Sequence, residues 1–335
     1  MAKIRFRSVH LSKANKERLD VINQIIEEYQ AQGYTLTLRQ LYYQLVSRDV
    51  VPNKVAEYAK LSTLLKEGRM GGIVDWDAIE DRLRKPSSPA SWANPQSIMR
   101  SVISQYALPR QEGQNVYLEV WVEKDALSGV LKRVTERFHV PILVNRGYSS
   151  ASAMFDSYER FIKAFERGQT VVLLYLGDYD PSGIDMIRDI NDRIVEFLQG
   201  SEETVNIFDE LDEATITSFV QPYVEIGTEE DIALLCARDA WVEKMFSIVP
   251  IALTREQIRQ YNPPPNPAKL SDPRAKDFVK LHGATSWEVD ALKPEVLNEL
   301  LESSIREYID FDAYQSIVDR EEADKKRLRE ITKNL

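Results

Sequence analysis

The chain has 335 residues, 43% hydrophobic and 29% charged, with 43 Lys and Arg against 53 Asp and Glu for a formal net charge of −10 at pH 7. That is enough apolar material to bury a sizeable core in two domains. No stretch reaches the roughly 18 uninterrupted apolar residues of a membrane span, and the start, MAKIRFRSVHLSK, lacks a signal peptide's apolar run, so a folded cytoplasmic protein with no membrane partner is expected.

From Lys13 to Ala31, the residues Leu19, Val21, Ile22, Ile25 and Ile26 recur at helical spacing among charges, predicting an amphipathic helix that Gly33 ends. Thr35 or Thr37 caps a second helix over Leu38 to Val46, with Leu38, Leu41, Tyr42 and Leu45 on one face. A third helix is expected from Lys54 to Lys66. Gly68, Gly71 and Gly72 then surround a turn, Ile73-Val74 begins a short strand, and Asp75-Trp76-Asp77 leads into a helix with Ile79, Leu83 and Arg84. Short helices, a glycine turn and a brief strand form the pattern of a winged helix-turn-helix, assigned to residues 1–110. The Pro- and Ser-rich run from Lys85 to Pro95 fits a linker, with the domain boundary between 86 and 115.

Residues 111–335 read as α/β. The run Val116 to Val122 is a strand, followed by a helix from Asp125 to Phe138, a strand over 141–144, a helix over 150–167, a strand over 171–176 and a helix over 182–199. Apolar strands alternating with helices predict a parallel sheet covered on both faces. Phe246 to Leu253 reads as a further strand, Thr254 begins a helix through Arg259, Asn262 to Pro273 forms a proline-rich loop, and Pro294 to Leu335 is helical and charged.

The segment Leu173 to Gly183 ends a buried strand in two acids, Asp178 and Asp180, and Glu123 ends another strand just before a helix. Carboxylates clustered at the C-terminal rim of a parallel sheet repel one another unless a cation compensates them. Such a rim is where α/β proteins place ligands. Three carboxylates make a hard-oxygen site suited to Mg²⁺, with Mn²⁺ as an alternative. The competing reading is that Asp-x-Asp-Pro-x-Gly caps a helix through Asp180. Cys236 alone, with His10, His139 and His282 scattered, makes no zinc site, so any metal is held by oxygen.

VEKDAL, then NRGYSS, then DYDPSG together resemble the Toprim domain of topoisomerases, primases and some nucleases. The resemblance implies Glu123 as an acid/base or metal-linked group and Asp178 and Asp180 as Mg²⁺ ligands, with Asp185 on the following helix as a further acid. Thr37-Leu38-Arg39-Gln40-Leu41-Tyr42-Tyr43 is similar to the tyrosine motif in the winged helix of type IIB topoisomerase A subunits and their meiotic double-strand-break relatives. By that likeness Tyr43 attacks DNA and Arg39 contacts the scissile phosphate, and at i and i+4 the two share a helix face. WEVDAL, residues 287–292, resembles the acidic-Ala-Leu segment after the family's Toprim core, so the likeness spans roughly residues 35–300. GRMGGIVDWDAI departs from the family's wing, and no ATPase segment is present, so strand passage requires a separate ATPase subunit. The alternative for Tyr42-Tyr43 is two aromatics that only pack.

Charge divides along the chain. Residues 1–110 hold 17 Lys and Arg and 11 Asp and Glu, a surplus of six, while the remainder holds 26 and 42, a deficit of sixteen. A basic first part suits DNA binding, and an acidic second part suits divalent metal. Lys66 and Arg69 before the glycine turn, Lys124 beside Glu123, and Arg146 at a strand end are further candidates for DNA contact. Ser149 or Ser150 capping the next helix is the plainer account of NRGYSS.

The expected function is Mg²⁺-dependent cleavage of double-stranded DNA by a homodimer, with a phosphotyrosyl link at Tyr43. In the relatives, one subunit's tyrosine meets the other's metal. The alternatives are a hydrolytic Toprim nuclease in which Tyr43 only packs, and a non-catalytic DNA-binding adaptor.

Overall fold

The computed structural model describes residues 3–80, 89–267 and 272–332. The first unit packs three helices, α1 (Lys13–Ala31), α2 (Leu38–Ser47) and α3 (Val55–Met70), around Leu19, Ile22, Ile25, Leu41, Leu45 and Leu61. Gly33, with φ of 78°, lets the chain reverse after α1. Thr37, not Thr35, caps α2: its hydroxyl accepts from Gln40 N, and Gln40 reaches back to Thr37 N in a capping box.

Ile73-Val74 does not begin a strand. Both amides donate to Gly68 O, at 2.8 and 3.2 Å, so the chain curls against the end of α3, and it is Gly71 that bridges Arg5. The helix expected after Asp77 is also absent at its start: a single 3-10 turn spans Trp76–Ala78, and Ile79 is extended, bridging Leu36. Leu83 and Arg84 lie outside the described residues. Pro95, at the end of the linker read from composition, opens α4 (Pro95–Gln105), which Asn94 and Ser97 cap reciprocally.

The second unit follows in order: β1 (Val116–Val122), α5 (Asp125–Phe138), β2 (Ile142–Val144), α6 (Ala151–Phe165), β3 (Thr170–Leu176) and α7 (Pro181–Gln199). Three helices then occupy the stretch 200–245, which carried no element in the sequence reading: α8 (Glu202–Asp209), α9 (Glu213–Glu225) and α10 (Glu230–Met245). After them come β4 (Phe246–Ala252), α11 (Arg255–Tyr261), β5 (Asn266–Pro267), α12 (Ala275–His282), β6 (Thr285–Ser286), a 3-10 turn at Val289–Ala291, α13 (Pro294–Tyr308) and α14 (Phe311–Thr332). The loop expected over 262–273 thus holds the short strand β5, paired antiparallel with β6. The expected C-terminal helix is two helices, because Asp310 Oδ1 accepts from Asp312 N and Ala313 N and so starts α14 afresh.

Among the described residues the main sheet has four parallel strands in the order β2-β1-β3-β4. One face carries Leu118, Val120, Val172 and Leu174 against α5 and α13, and the other carries Trp121, Leu173 and Tyr175 against α6, α7 and α10. The result is a three-layer α/β/α core, with both faces apolar as the sequence of its strands requires. No described helix is long and apolar enough to cross a membrane.

Candidate functional site

From β1 the chain moves to β2 on one side, then returns to β3 on the other. The C-terminal ends of β1 and β3 therefore border the crevice where strand order reverses, the usual ligand position in open α/β sheets. Glu123 leaves β1 there and Asp178 leaves β3. Glu123 Oε2 accepts from Asp178 N at 2.9 Å, so the two ends are tied directly. Asp180 Oδ1 accepts from Gly183 N at 2.7 Å and Ser182 Oγ at 2.8 Å, capping α7 as the helix-cap reading expected. Gly183 is required here, because a Cβ would stand 2.2 Å from the Asp178 carbonyl oxygen. A Cβ on Gly177 would stand 2.4 Å from Tyr175 Cε1 and 3.1 Å from Glu123 Oε2, so only glycine lets these two side chains approach the backbone here.

Two further acids complete the rim, and both come from the segment after β6. Tyr179 and Trp287 exchange backbone hydrogen bonds of 2.8 and 3.0 Å, which lays Glu288-Val289-Asp290 alongside Asp178-Tyr179-Asp180. Val289 N donates to Asp178 Oδ1 at 2.8 Å. Tyr179, Phe278, His282 and Trp287 stack edge to face around this bridge, with Tyr179 Oη and His282 Nδ1 2.8 Å apart.

At the centre is Lys124. Its Nζ lies 2.8 Å from each of Asp178 Oδ1, Glu288 Oε2 and Asp290 Oδ1. From the first unit, Arg39 also pairs with Glu288 and approaches Asp290 Oδ2 at 3.3 Å, with its guanidinium 5.9 Å from the Tyr43 ring centre. Tyr43 is 4% exposed. It borders a cleft of about 260 Å³ with Arg39, Tyr58, Asn53, Asn266 and Glu288. Tyr42 lines the same cleft, with its hydroxyl accepting from Lys54 N at 2.8 Å and its ring meeting Tyr58 edge to face. Ala291 is buried in the core of the first unit, so α2 is seated on this segment within one chain. A second cleft, of about 640 Å³, starts at Asp178 and runs between α7 and β4.

Three carboxylates share one ammonium and one guanidinium, and the charges are unevenly satisfied. Burial pushes Asp178 up to about 7, because Lys124 divides its charge among three acids and Glu123 and Asp290 add repulsion. Burial raises Glu123 as well, helped by Asp180 and Asp290 and opposed by Asp178 N and Lys124. Glu288 is buried too, but Lys124 and Arg39 outweigh that and hold it at about 2. For Lys124, burial is outweighed by Asp290, Asp178 and Glu288, which keep it charged. Burial, then Asp290 and Glu288, hold the Tyr43 phenol above its ordinary range against the pull of Arg39.

Glu123, Asp178, Asp180, Lys124, Arg39 and Tyr43 thus gather at one rim. Glu288 and Asp290 were not singled out from the sequence as site residues. The signal present was the pair of acids in WEVDAL, Glu288 just before the 3-10 turn and Asp290 within it. Of the other DNA-contact candidates, Arg146 adjoins the cluster, its N donating to Glu123 O at 3.1 Å, whereas Lys66 and Arg69 belong to α3. Lys66 is on the exposed face of α3. Arg69 is turned inward, donating to Trp76 O and Ile79 O at 3.1 and 2.8 Å. Arg146 is exposed and pairs with Asp125 at 3.2 Å. Asp185 is engaged by Arg188 at 2.9 Å and by Tyr148 Oη at 2.5 Å.

Every acid at the rim presents oxygen, the donor type that a hard divalent cation takes. The buried hydroxyl of Tyr175 and the buried amide of Asn145 at this rim have no hydrogen-bond partner. Among the described residues, no three His, Cys, Asp or Glu side chains converge at direct-ligand distance. No family model, curated protein or solved structure matches the chain.

Proposed function

We propose that the chain cleaves double-stranded DNA in a Mg²⁺-dependent reaction, with Tyr43 as the nucleophile and a phosphotyrosyl link as the intermediate. The observation that carries this reading is the seating of Arg39 and Tyr43 against Lys124, Asp178, Glu288 and Asp290 at the strand-order reversal. In this reading the first unit is a winged-helix-like DNA-binding module, and the second is a Toprim-type module. The two clefts that meet at the cluster give a DNA strand a path past Tyr43 and Asp178.

A Mg²⁺ or Mn²⁺ ion held by Glu123, Asp178 and Asp180 would supply positive charge against the scissile phosphate. Arg39, partly exposed and at the mouth of the Tyr43 cleft, exchanges its carboxylate partners for phosphate oxygens. Tyr43 Oη then bonds to phosphorus as the bond from phosphorus to the departing deoxyribose oxygen breaks. The Tyr43 proton is released to solvent and the departing oxygen takes one from solvent, so charge and atoms balance, with Glu288 and Lys124 remaining ionised. Cutting both strands takes two chains, hence a homodimer, and strand passage adds a separate ATPase subunit.

The test is denaturation of a Mg²⁺ cleavage reaction on duplex DNA. Protein retained on the cut ends, lost in Tyr43→Phe, is expected. Free ends with cleavage intact in Tyr43→Phe would establish the second reading, hydrolysis by water, which the deep burial and raised pKa of Tyr43 favour. Salt-dependent DNA binding that persists in EDTA, with no cleavage under any divalent ion, would leave a DNA-binding adaptor.

A further inference from the structure

Besides Asp290 Oδ2, which Arg39 Nε approaches at 3.3 Å, two side chains at the rim are buried with unmet hydrogen bonds: the Asn145 amide, 6% exposed, at both Nδ2 and Oδ1, and the Tyr175 hydroxyl, 0% exposed. Interiors pair nearly all such groups, so two of them beside one crevice mark a place that a ligand completes.

The sheet register aims both at the same spot. Trp121 pairs with Leu143 on one neighbour and Tyr175 on the other, and all three pack on the α6 and α7 face. Side chains alternate along strands, so Glu123 and Asn145, two residues on, turn to that face at the rim. Asn145 N donates to Val122 O and Arg146 N to Glu123 O, which carries the pairing beyond the strand ends. Tyr175 Cε1 and Glu123 Oε2 both close on Gly177, 2.4 and 3.1 Å from where its Cβ would stand, so the two side chains converge over that glycine. Lys124 serves the other side of the rim, through Asp178, Glu288 and Asp290. Among the described residues, neither Glu123 nor Asp180 is salt-bridged to a Lys or Arg.

We propose that Asn145 and Tyr175 bind the water shell of a hydrated divalent cation held by Glu123 and Asp180, as outer-sphere partners. This rests on the reading of the rim as a cation site. Mg²⁺ gives up its waters reluctantly and keeps several of them. Water polarised by a dication is a strong donor, and Asn145 Oδ1 and Tyr175 Oη are the acceptors waiting for it. Asn145 Nδ2 is left to donate to an anionic oxygen that accompanies the cation, such as a phosphodiester oxygen. Partners of this kind orient what lies inside them, and their loss weakens metal binding about tenfold or more.

Hexaamminecobalt(III) holds its ammines too tightly to exchange them, so it binds only where a site recognises a complete shell of donors. Calorimetric titration of the full chain at physiological ionic strength is expected to show it competing with Mg²⁺ for one site. Asn145→Leu and Tyr175→Phe are expected to weaken both ions about tenfold, and to melt no lower than wild type without metal, since each removes an unpaired buried group. Mg²⁺ binding that hexaamminecobalt does not contest overturns the outer-sphere assignment and leaves the cation site standing, as does full-strength binding in both variants. A variant that melts well below wild type shows that its side chain was paired internally, which also overturns the assignment. No Mg²⁺ binding to the wild-type chain removes the cation site itself.

Discussion

Lys124 is a surface-type residue used as an internal counter-ion. Its aliphatic stem is enclosed and its ammonium balances acids from two distant segments. Removing one member of a buried ion cluster costs about 3–5 kcal/mol, because the charges left behind lose their partner. Lys124→Met is therefore expected to melt well below wild type without metal and to regain part of the loss in millimolar Mg²⁺, which thermal melts with and without the ion would show. Equal melting of the two chains without metal would mean that the ammonium does not organise the rim. Gly183→Ala tests the rim's geometry separately. Its methyl group meets backbone, the Asp178 carbonyl at 2.2 Å, and cannot be relieved by a side-chain rotation. A cost of roughly 1–3 kcal/mol is expected for such overpacking, visible as a lower midpoint in urea.

At the scale of elements, the buried tie between α14 and the chain leading into β1 is Glu321, beside the contacts of Tyr106 with Asp324 and of Arg320 with Glu112. Glu321, 3% exposed, meets Arg110 Nη1 and Lys325 Nζ, each at 2.6 Å, and accepts from Leu108 N at 2.8 Å. Burial alone would raise it, but Arg110, Lys325 and the Leu108 amide hold it at about 2, below the usual 4.5. Its stabilising contribution is then complete above pH 4.5 and is lost as pH falls towards 2. Glu321→Gln should melt lower than wild type at neutral pH, and the gap should close through that acid window. A gap that stays constant with pH would show that the charge is not what anchors α14.

The elements that were legible from sequence are those whose burial is one-sided and continuous. β3 is apolar from Val171 to Leu176, β1 is apolar but for the buried Glu119, and α5 presents Leu127, Val130, Leu131 and Val134 at helical spacing. The helices over 200–245 were not legible. α9 buries no residue fully, and α10 buries Ala233 and Ala237 while exposing Ile232, Leu234 and Leu235, so apolar spacing misreports its inner face. At the site, Glu123, Asp178 and Asp180 show as acids at strand ends. Their meeting with Glu288 and Asp290 depends on the Tyr179 to Trp287 bridge, a pairing across more than a hundred residues that no local pattern encodes.

For the whole molecule, the basic first part and the acidic second part meet at this cluster, where Arg39 crosses between them. The arrangement that the sequence resemblance implies, with a tyrosine from one subunit against a neighbour's acidic rim, is not needed to bring these groups together: α2 is seated on its own chain's rim. Mixed dimers separate the two arrangements. Combining Tyr43→Phe chains with Asp178→Asn chains leaves no chain with both groups, so no cleavage is expected. Nicks in one strand, scored on a supercoiled plasmid, would show that the groups are exchanged across the dimer.

The Tyr179 to Trp287 bridge also sets when the cluster can exist. A ribosome extends the chain at roughly 5–20 residues per second, so Asp290 follows Asp180 after about 5 to 20 seconds of synthesis. During that interval Lys124, Asp178 and Tyr43 are already made but lack Glu288 and Asp290. A nascent chain therefore carries an uncompleted rim while it is still tethered, and the charge balance around Lys124 is reached only once the segment after β6 has been made.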